Sequence, residues 1–378
     1  LKGYDAVETG YPLRPTHRIE IADEPDLAKL EELSVRTLAR CMADTYMDCP
    51  HYERLQYAGD TRIQAMIGYY LSPDRALQRS AIEWFGRSRR SGLPMSRYPS
   101  RVPQFIPPFG LWWTLMRQDQ RLYDRIVPPA DPNDPAPIDE EGLDAVNAVN
   151  RADGEHWWFA DWVPQWESGV PPGGASSTVH RLTLYLAHAA TERLLDWPTD
   201  EAVARGRALW AYMSPRLSFE GGWVRHADDR EWTPSEHAEA LLRLLQRRLG
   251  VPEEPWPADR PDAIRATAYF RYYVHEARPF DPSLLDPWRQ MIEDGLSTFH
   301  EGMIPPRSDC HAWSAHPLLT FFTRMAGVTS AAPGWRAARI APDPGPYRRF
   351  RAEIPHPDGP LVVAYEDGSL TIDSPVPY

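Results

Sequence analysis

At 378 residues, with 42% apolar and 25% charged residues, the chain has the composition of a soluble globular protein with room for one large domain or two ordinary ones. A net charge of −12 argues against nucleic acid or an anionic membrane as partner, since both call for Lys/Arg clusters, and no run of about 18 apolar residues offers a membrane span. Cys41, Cys49 and Cys310 are too few and too scattered for a disulfide framework or a paired metal motif, so a reducing, cytoplasmic setting with no metal and no cofactor is expected. The aromatic content is the anomaly: 15 Trp, 17 Tyr and 11 Phe raise the case for a carbohydrate site, where rings stack on sugar faces, although a large helical core also consumes aromatics. The chain opens on Leu without a basic–apolar signal peptide, which fits one whose upstream piece has been removed.

Residues 1–24 read as an extended lead-in with a short alternating piece at 17–21. A helix then runs from Asp26 to about Met47, its apolar stripe formed by Leu27, Leu30, Leu33, Leu38 and Met42. The stretch Asp48-Cys-Pro-His-Tyr-Glu53-Arg-Leu-Gln-Tyr57-Ala-Gly-Asp60 interleaves three carboxylates with two tyrosines, a pattern suited to a loop that presents acids to a sugar. The plain alternative is a solvated surface loop. Helices follow at 60–71, 74–90 and 111–125, then a proline-rich linker at 128–137 and a helix at 140–151. The densest aromatic patch, His156 to Trp166, holds five large rings with Asp161 among them. It reads as a cleft wall or as core, with Asp161 and Trp162 as candidate contacts. A glycine-rich turn leads into helices at 176–195 and 200–213, a hairpin around Gly221-Gly222, and a helix at 234–249. Helices at 262–277 and 282–295 precede a second candidate loop, 296–311, and a helix at 314–326 closes the series. From about 333 the pattern turns to strand alternation joined by Pro-Asp-Gly and Glu-Asp-Gly turns.

The expected fold is mainly α: successive helical hairpins closing into an (α/α)6 barrel at 25–330, with a short β-sandwich-like segment at 331–378. A superhelical array is the alternative, and the absence of a fixed-period repeat argues against it. Cleaving a glycosidic bond takes a proton donor for the leaving oxygen and a second carboxylate on the other face of the sugar. Glu53, flanked by Asp48 and Asp60, is the candidate general acid. Glu301, at the turn Phe299-His300-Glu301-Gly302, is the candidate general base. For either, a glutamate that merely solvates its loop is the alternative. His311 and His316 beside Cys310 match neither HExxH nor a Cys/His finger, so a hydrogen bond from His311 to a sugar hydroxyl is the better reading.

Several stretches in order resemble bacterial α-L-rhamnosidases of the six-hairpin glycosidase type: Asp48-Cys-Pro…Glu53-Arg…Tyr57…Gly59-Asp60, Leu111-Trp-Trp113, Asp161-Trp162, Ser235-Glu-His237, Trp288…Met291…Gly295-Leu-Ser-Thr-Phe-His-Glu301, and Asp309-Cys-His-Ala-Trp-Ser-Ala-His-Pro317. The resemblance implies an (α/α)6 barrel that releases terminal α-L-rhamnose with inversion. It matches Glu53 to the acid, Glu301 to the base, Asp48 and Asp60 to the acids that hold rhamnose hydroxyls, and Trp113, Trp162 and His311 to sugar-contacting positions. Tyr57 stands where many members carry Trp, the acidic loop is one residue shorter before the acid, and Ser297-Thr298 replace paired threonines. The resemblance also implies upstream β domains beyond this chain. Two other classes stay open: a helical-toroid polysaccharide lyase using Tyr57 and His311, and a non-catalytic glycan-binding module.

Overall fold

The computed structural model describes residues 5, 7–90, 93–126, 156–191, 199–302 and 306–378. The expected linker at 128–137, the helix at 140–151 and the last turn of the 176–195 helix lie outside them.

Helices dominate the described residues: α1 (Leu27–Arg40), α2 (Ala58–Leu71), α3 (Ala76–Arg87), α4 (Pro107–Tyr123), α5 (Thr178–Thr191), α6 (Asp200–Met213), α7 (Glu236–Leu249), α8 (Ala268–Ala277), α9 (Asp286–Glu293) and α10 (Pro317–Thr320), which runs into a wider turn at Phe321–Met325. They are of two kinds. In α1 the buried stripe is Leu27, Leu30, Leu33, Ser34, Thr37 and Leu38, while Lys29, Glu32 and Arg36 pair in solvent on the other side. In α2 every residue is buried, as befits a helix with neighbours all round. Local chemistry sets the ends. Pro107 and Pro108 occupy the first turn of α4, where no N–H is needed. Ser235 Oγ accepts from Ala238 N at the start of α7, and Gly250, at φ +64°, closes its end.

Several boundaries differ from the sequence expectation. α1 stops at Arg40 rather than near Met47, because the chain turns back on itself through Met47 N to Cys41 O and so delivers Asp48. α4 begins four residues early, on its prolines. α8 begins only at Ala268, because Ile264 bonds instead to the segment that opens α7, through Ile264 N to Pro234 O and Glu236 N to Ile264 O.

Packing runs from neighbour to neighbour. α2 lies on α4, α4 on α5, α5 on α7, α7 on α8, and α8 on the turn at Ala312–Ala315, which with α10 packs back on α2. α1, α3, α6 and α9 flank this series. The β part is small. Strands β1 (Arg18–Ile21), β6 (Arg349–Ile354), β7 (Leu361–Glu366) and β8 (Ser369–Asp373) form one antiparallel sheet in that order. β2 (Leu217–Glu220) and β3 (Trp223–His226) form the expected hairpin, and β4 (Val328–Ser330) pairs with β5 (Ala338–Ile340). Among the described residues, the expected sandwich-like segment is thus a single four-stranded layer, and its first strand comes from the lead-in. Ile19 and Ile21 of that strand are buried with Phe350, Ala352 and Ile354 of β6. The buried carboxylate of Glu24 clamps the junction by accepting from Arg289 Nη2 (2.6 Å) and from the Tyr347 hydroxyl.

Candidate active site

The acidic loop is folded by its first acid. Asp48 N donates to Leu55 O, and Leu55 N donates to Asp48 Oδ1 at 2.8 Å. Arg54, at φ +55°, takes the left-handed conformation that this tight return requires, a strain of the kind often found at functional sites. Ala312 N donates to Asp48 O and so ties this loop to the second one. α2 starts immediately afterwards and places Asp60 in its first turn, where the helix dipole favours an anion. Gly59 is needed there because a Cβ would lie 2.7 Å from both the Phe109 ring and the Tyr269 hydroxyl.

These loops border a cavity of about 190 Å³ lined by Asp48, Glu53, Tyr57, Asp60, Ile106, Phe109, Trp157, Phe159, Trp162, Glu301, Arg307, His311 and Trp313. The lining comes from the starts of α2 and α4, the aromatic loop before α5, and the loop before the 312–315 turn. The starts of α2 and α4 and these loops therefore share one rim. A larger cavity of about 400 Å³ lies toward the other ends of α7 and α8. Among its charged side chains, Arg247 is matched with Glu253 and Glu276 with Thr323.

Of the nine residues singled out from sequence, the cavity gathers seven: Glu53, Glu301, Asp48, Asp60, Tyr57, Trp162 and His311. Two do not reach it. Trp113 sits a turn further down α4, where its indole N–H donates to Ile82 O at 3.1 Å and the guanidinium groups of Arg89 and Arg117 lie over its ring; it packs α4 on α3. Asp161 is wholly buried with both oxygens occupied. Oδ2 bonds His237 Nε2 (2.9 Å) and accepts from Thr267 N (2.7 Å), while Oδ1 accepts from Thr267 Oγ1 (2.8 Å) and Trp162 N (3.0 Å). It fastens the aromatic loop to the starts of α7 and α8, and so presents Trp162.

Sequence reasoning passed over Arg307, whose Nη2 lies 3.0 Å from Glu53 Oε1 and 3.4 Å from Glu301 Oε1. The available signal was that Arg307 is the sole Arg or Lys in the second candidate loop. It also passed over Ile106 and Phe109, which complete the apolar wall with Trp157, Phe159 and Trp162 of the aromatic patch read as a cleft wall or core.

Burial sets the electrostatics. Desolvation raises the pKa values of Asp48, Asp60 and Glu301, and for Glu301 His311 and Arg307 oppose it. Desolvation also lowers the pKa of His311 despite three nearby carboxylates, so the neutral ring is favoured. His311 Nε2 lies 3.1 Å from Asp60 Oδ1, which suits a donated proton on that nitrogen. Burial and the neighbouring Glu53 carboxylate push the Tyr57 phenol up; its oxygen accepts from Arg97 Nη1 at 2.7 Å. Three buried atoms on residues that line the cavity, Asp48 Oδ2, Glu301 Oε2 and His311 Nδ1, have no hydrogen-bond partner among the described residues. Such atoms are costly unless a ligand or water satisfies them.

Residues 20–118 match the family model of the bacterial alpha-L-rhamnosidase six-hairpin glycosidase domain, a stretch that contains the acidic loop. A comparison with curated protein sequences finds no match. Among solved structures, the fold resembles a GH78 family rhamnosidase of Bacillus sp. GL1, at 22% identity and TM-score 0.69 over 96% of this chain and 42% of that one. It also resembles an alpha-L-rhamnosidase from Dictyoglomus thermophilum, at 14% identity and TM-score 0.66 over 99% of this chain and 47% of that one. A third is the Streptomyces avermitilis alpha-L-rhamnosidase complexed with L-rhamnose, at 14% identity and TM-score 0.57 over 95% and 37%. The chain spans less than half the length of each. The resemblance to a six-hairpin rhamnosidase domain drawn from the sequence therefore stands. Among the described residues, no helix is long and apolar enough to cross a membrane.

Proposed function

We propose that this chain is the sugar-cleaving helical part of an inverting exo-α-L-rhamnosidase. The cyclic packing order of α2, α4, α5, α7, α8 and the 312–325 segment supports reading the helices as an (α/α)6 barrel at 25–330. The lead-in and the segment at 331–378 then form a β layer on its flank. The observation that carries the functional reading is the set of three unpartnered buried atoms, Asp48 Oδ2, Glu301 Oε2 and His311 Nδ1, in a cavity that also presents the rings of Tyr57, Phe109, Trp157, Phe159, Trp162 and Trp313. Hydroxyl groups would satisfy the atoms. Ring faces would take the apolar side of a sugar, and the 6-methyl of a deoxysugar would rest on the patch formed by Ile106, Phe109 and Phe159. A cavity of about 190 Å³ suits a single terminal residue rather than the interior of a chain.

In this reading Glu53, the more exposed of the two glutamates, gives its proton to the glycosidic oxygen as the bond to the anomeric carbon breaks. Glu301, desolvated and ionised, takes a proton from a water whose oxygen attacks that carbon from the opposite face. Asp48, Asp60 and His311 hold the hydroxyls, and Trp162 and Trp157 stack on the ring. An inverting pair calls for carboxyl groups roughly 6.5–9.5 Å apart with a water between them; here one Arg307 nitrogen bridges the facing oxygens, 3.0 Å from Glu53 and 3.4 Å from Glu301, so the pair sits at the short end of that range and the arginine has to give way to the water. Arg307 spans the gap between Glu53 and Glu301. Engaged with both, it is not free to neutralise a uronate, which weighs against a lyase.

The test is proton NMR of an aryl α-L-rhamnoside incubated with the chain, following the first-formed anomer. β-L-Rhamnose is the expected product. First appearance of the α anomer would replace the mechanism with a retaining one. Glu53→Gln should lower turnover by about 10²–10⁴-fold and leave rhamnose affinity nearly unchanged.

A further inference from the structure

We propose that Asp48, Cys49 and His311 form a binding site for a thiophilic divalent cation of the zinc class, buried beneath the floor of the cavity. One carboxylate oxygen, the Cys49 thiol sulfur and one ring nitrogen lie within 4.8 Å of one another, and all three residues are buried. An O, S and N donor set is one that Zn²⁺ accepts and that Ca²⁺ or Mg²⁺ does not. Donors at about 2.0–2.3 Å from a tetrahedral zinc stand roughly 3.5 Å apart, so a set already within 4.8 Å needs at most a small inward adjustment.

Two features beyond proximity point to a ligand. First, the arrangement leaves donors unspent: Asp48 uses Oδ1 on Leu55 N and has no partner for Oδ2, while His311 uses Nε2 on Asp60 and has none for Nδ1 among the described residues. Secondly, a carboxylate on the far nitrogen of the histidine is the outer contact that holds a metal-ligating imidazole in its tautomer, and Asp60 fills that place. Asp48 and His311 line the cavity, which supplies the entry path, and the cation's fourth position faces the cavity as an open site. The ligands lie on two loops more than 250 residues apart, so no linear Cys/His spacing betrays the site. A cation there takes the atoms that a sugar would use, so metal and L-rhamnose should exclude one another; that corollary rests on the reading of the cavity as a sugar site.

The test uses the full chain stripped with EDTA and titrated with Zn²⁺ against a chromophoric chelator, and in parallel with Co²⁺. One equivalent of Zn²⁺ should bind, and the Co²⁺ form should show a thiolate-to-metal charge-transfer band. Cys49→Ser should abolish the band and weaken Zn²⁺ by at least the roughly 10–100-fold that loss of an outer-sphere partner costs. The double variant Cys41→Ser/Cys310→Ser controls for the other thiol pair, whose sulfurs lie 4.0 Å apart, and should keep the band. No stoichiometric binding, a band that survives Cys49→Ser, or a band lost in the double variant would overturn the proposal. Should Cys49→Ser fail to fold, Asp48→Asn, checked by thermal melting, must show the same weakening of Zn²⁺. Competition by L-rhamnose separates the two readings: a metal site that sugar leaves untouched upholds the cation and removes the sugar from the cavity.

Discussion

Burial raises the proton affinity of Glu301, and Arg307 and His311 hold it down. If Glu301 acts as the base it must be ionised, so activity falls as pH drops through its pKa, which lies above the ordinary glutamate range. Arg307→Gln removes one opposing charge and raises that pKa further. The acid limb of the kcat/KM profile should therefore move to higher pH, with a larger loss at pH 5 than at pH 8. Because neighbouring carboxylates share the field, the limb belongs to the cluster rather than to one residue. An unmoved limb in Arg307→Gln would separate the arginine from the chemistry. Asp60 makes the converse point about stability. Its folded-state pKa is raised by burial, so its ionised form is disfavoured in the fold. The folded protein then binds more protons than the unfolded chain above pH 4, and stability declines as pH rises toward that pKa. Asp60→Asn keeps an acceptor for His311 and removes the charge. It should raise Tm at pH 8 by about 1 °C for each kcal/mol relieved, with little effect near pH 4, and cost rhamnoside turnover. Calorimetry at the two pH values decides it.

At the level of elements, the joint between α2, α4 and α8 is the tightest test of how the site is held. Gly59→Ala would drive a methyl against the Phe109 ring and the Tyr269 hydroxyl, at 2.7 Å each. A destabilisation of about 1–3 kcal/mol is expected from overpacking, together with weakened sugar binding, since Asp60 is the next residue but one along the helix's first turn from Ala58. Unfolding in urea reads the first effect. The same joint explains what periodicity could and could not convey. α1 was legible because it hides one stripe. In α2 the apparent face Ile63, Met66, Ile67 and Tyr70 was half the matter, since Arg62 and Gln64 are buried as well, the former paired with Asp119 at 2.9 Å. A helix enclosed on all sides has no polar face to mark its phase. Asp161 and Trp162 show a finer limit. Which of two neighbours faces the cavity depends on His237 and Thr267, which lie 76 and 106 positions away. Local pattern carries no information about partners that distant. The acidic loop was legible for the opposite reason: its acids fall within thirteen residues of sequence, and Asp48 folds the loop through its neighbour Leu55, even though Glu53 and Asp60 meet their own partners, Arg307 and His311, far along the chain.

Over the whole molecule, a net charge of −12 and a cavity holding Asp48, Glu53, Asp60 and Glu301 against Arg307 bear on the kind of substrate admitted. A neutral rhamnoside feels no long-range force from this field, and its kcat/KM should stay flat between low salt and roughly 0.5 M. A rhamnosyl residue carried on a uronate-rich chain brings carboxylates up to an acidic rim, where they are repelled. The repulsion reaches about 10 Å at 0.1 M ionic strength and shrinks to about 3 Å at 1 M, so kcat/KM for the anionic substrate should rise as salt is added. The comparison that decides is a pair of substrates with the same terminal linkage, one neutral and one uronate-bearing, each assayed across the salt series. Charge repulsion predicts that the two values converge at high salt, with the neutral one ahead at low salt. A uronate-bearing substrate that is favoured at low salt, and loses ground as salt rises, would require a basic surface beyond the rim that attracts it, and would make the chain's acidity irrelevant to substrate choice.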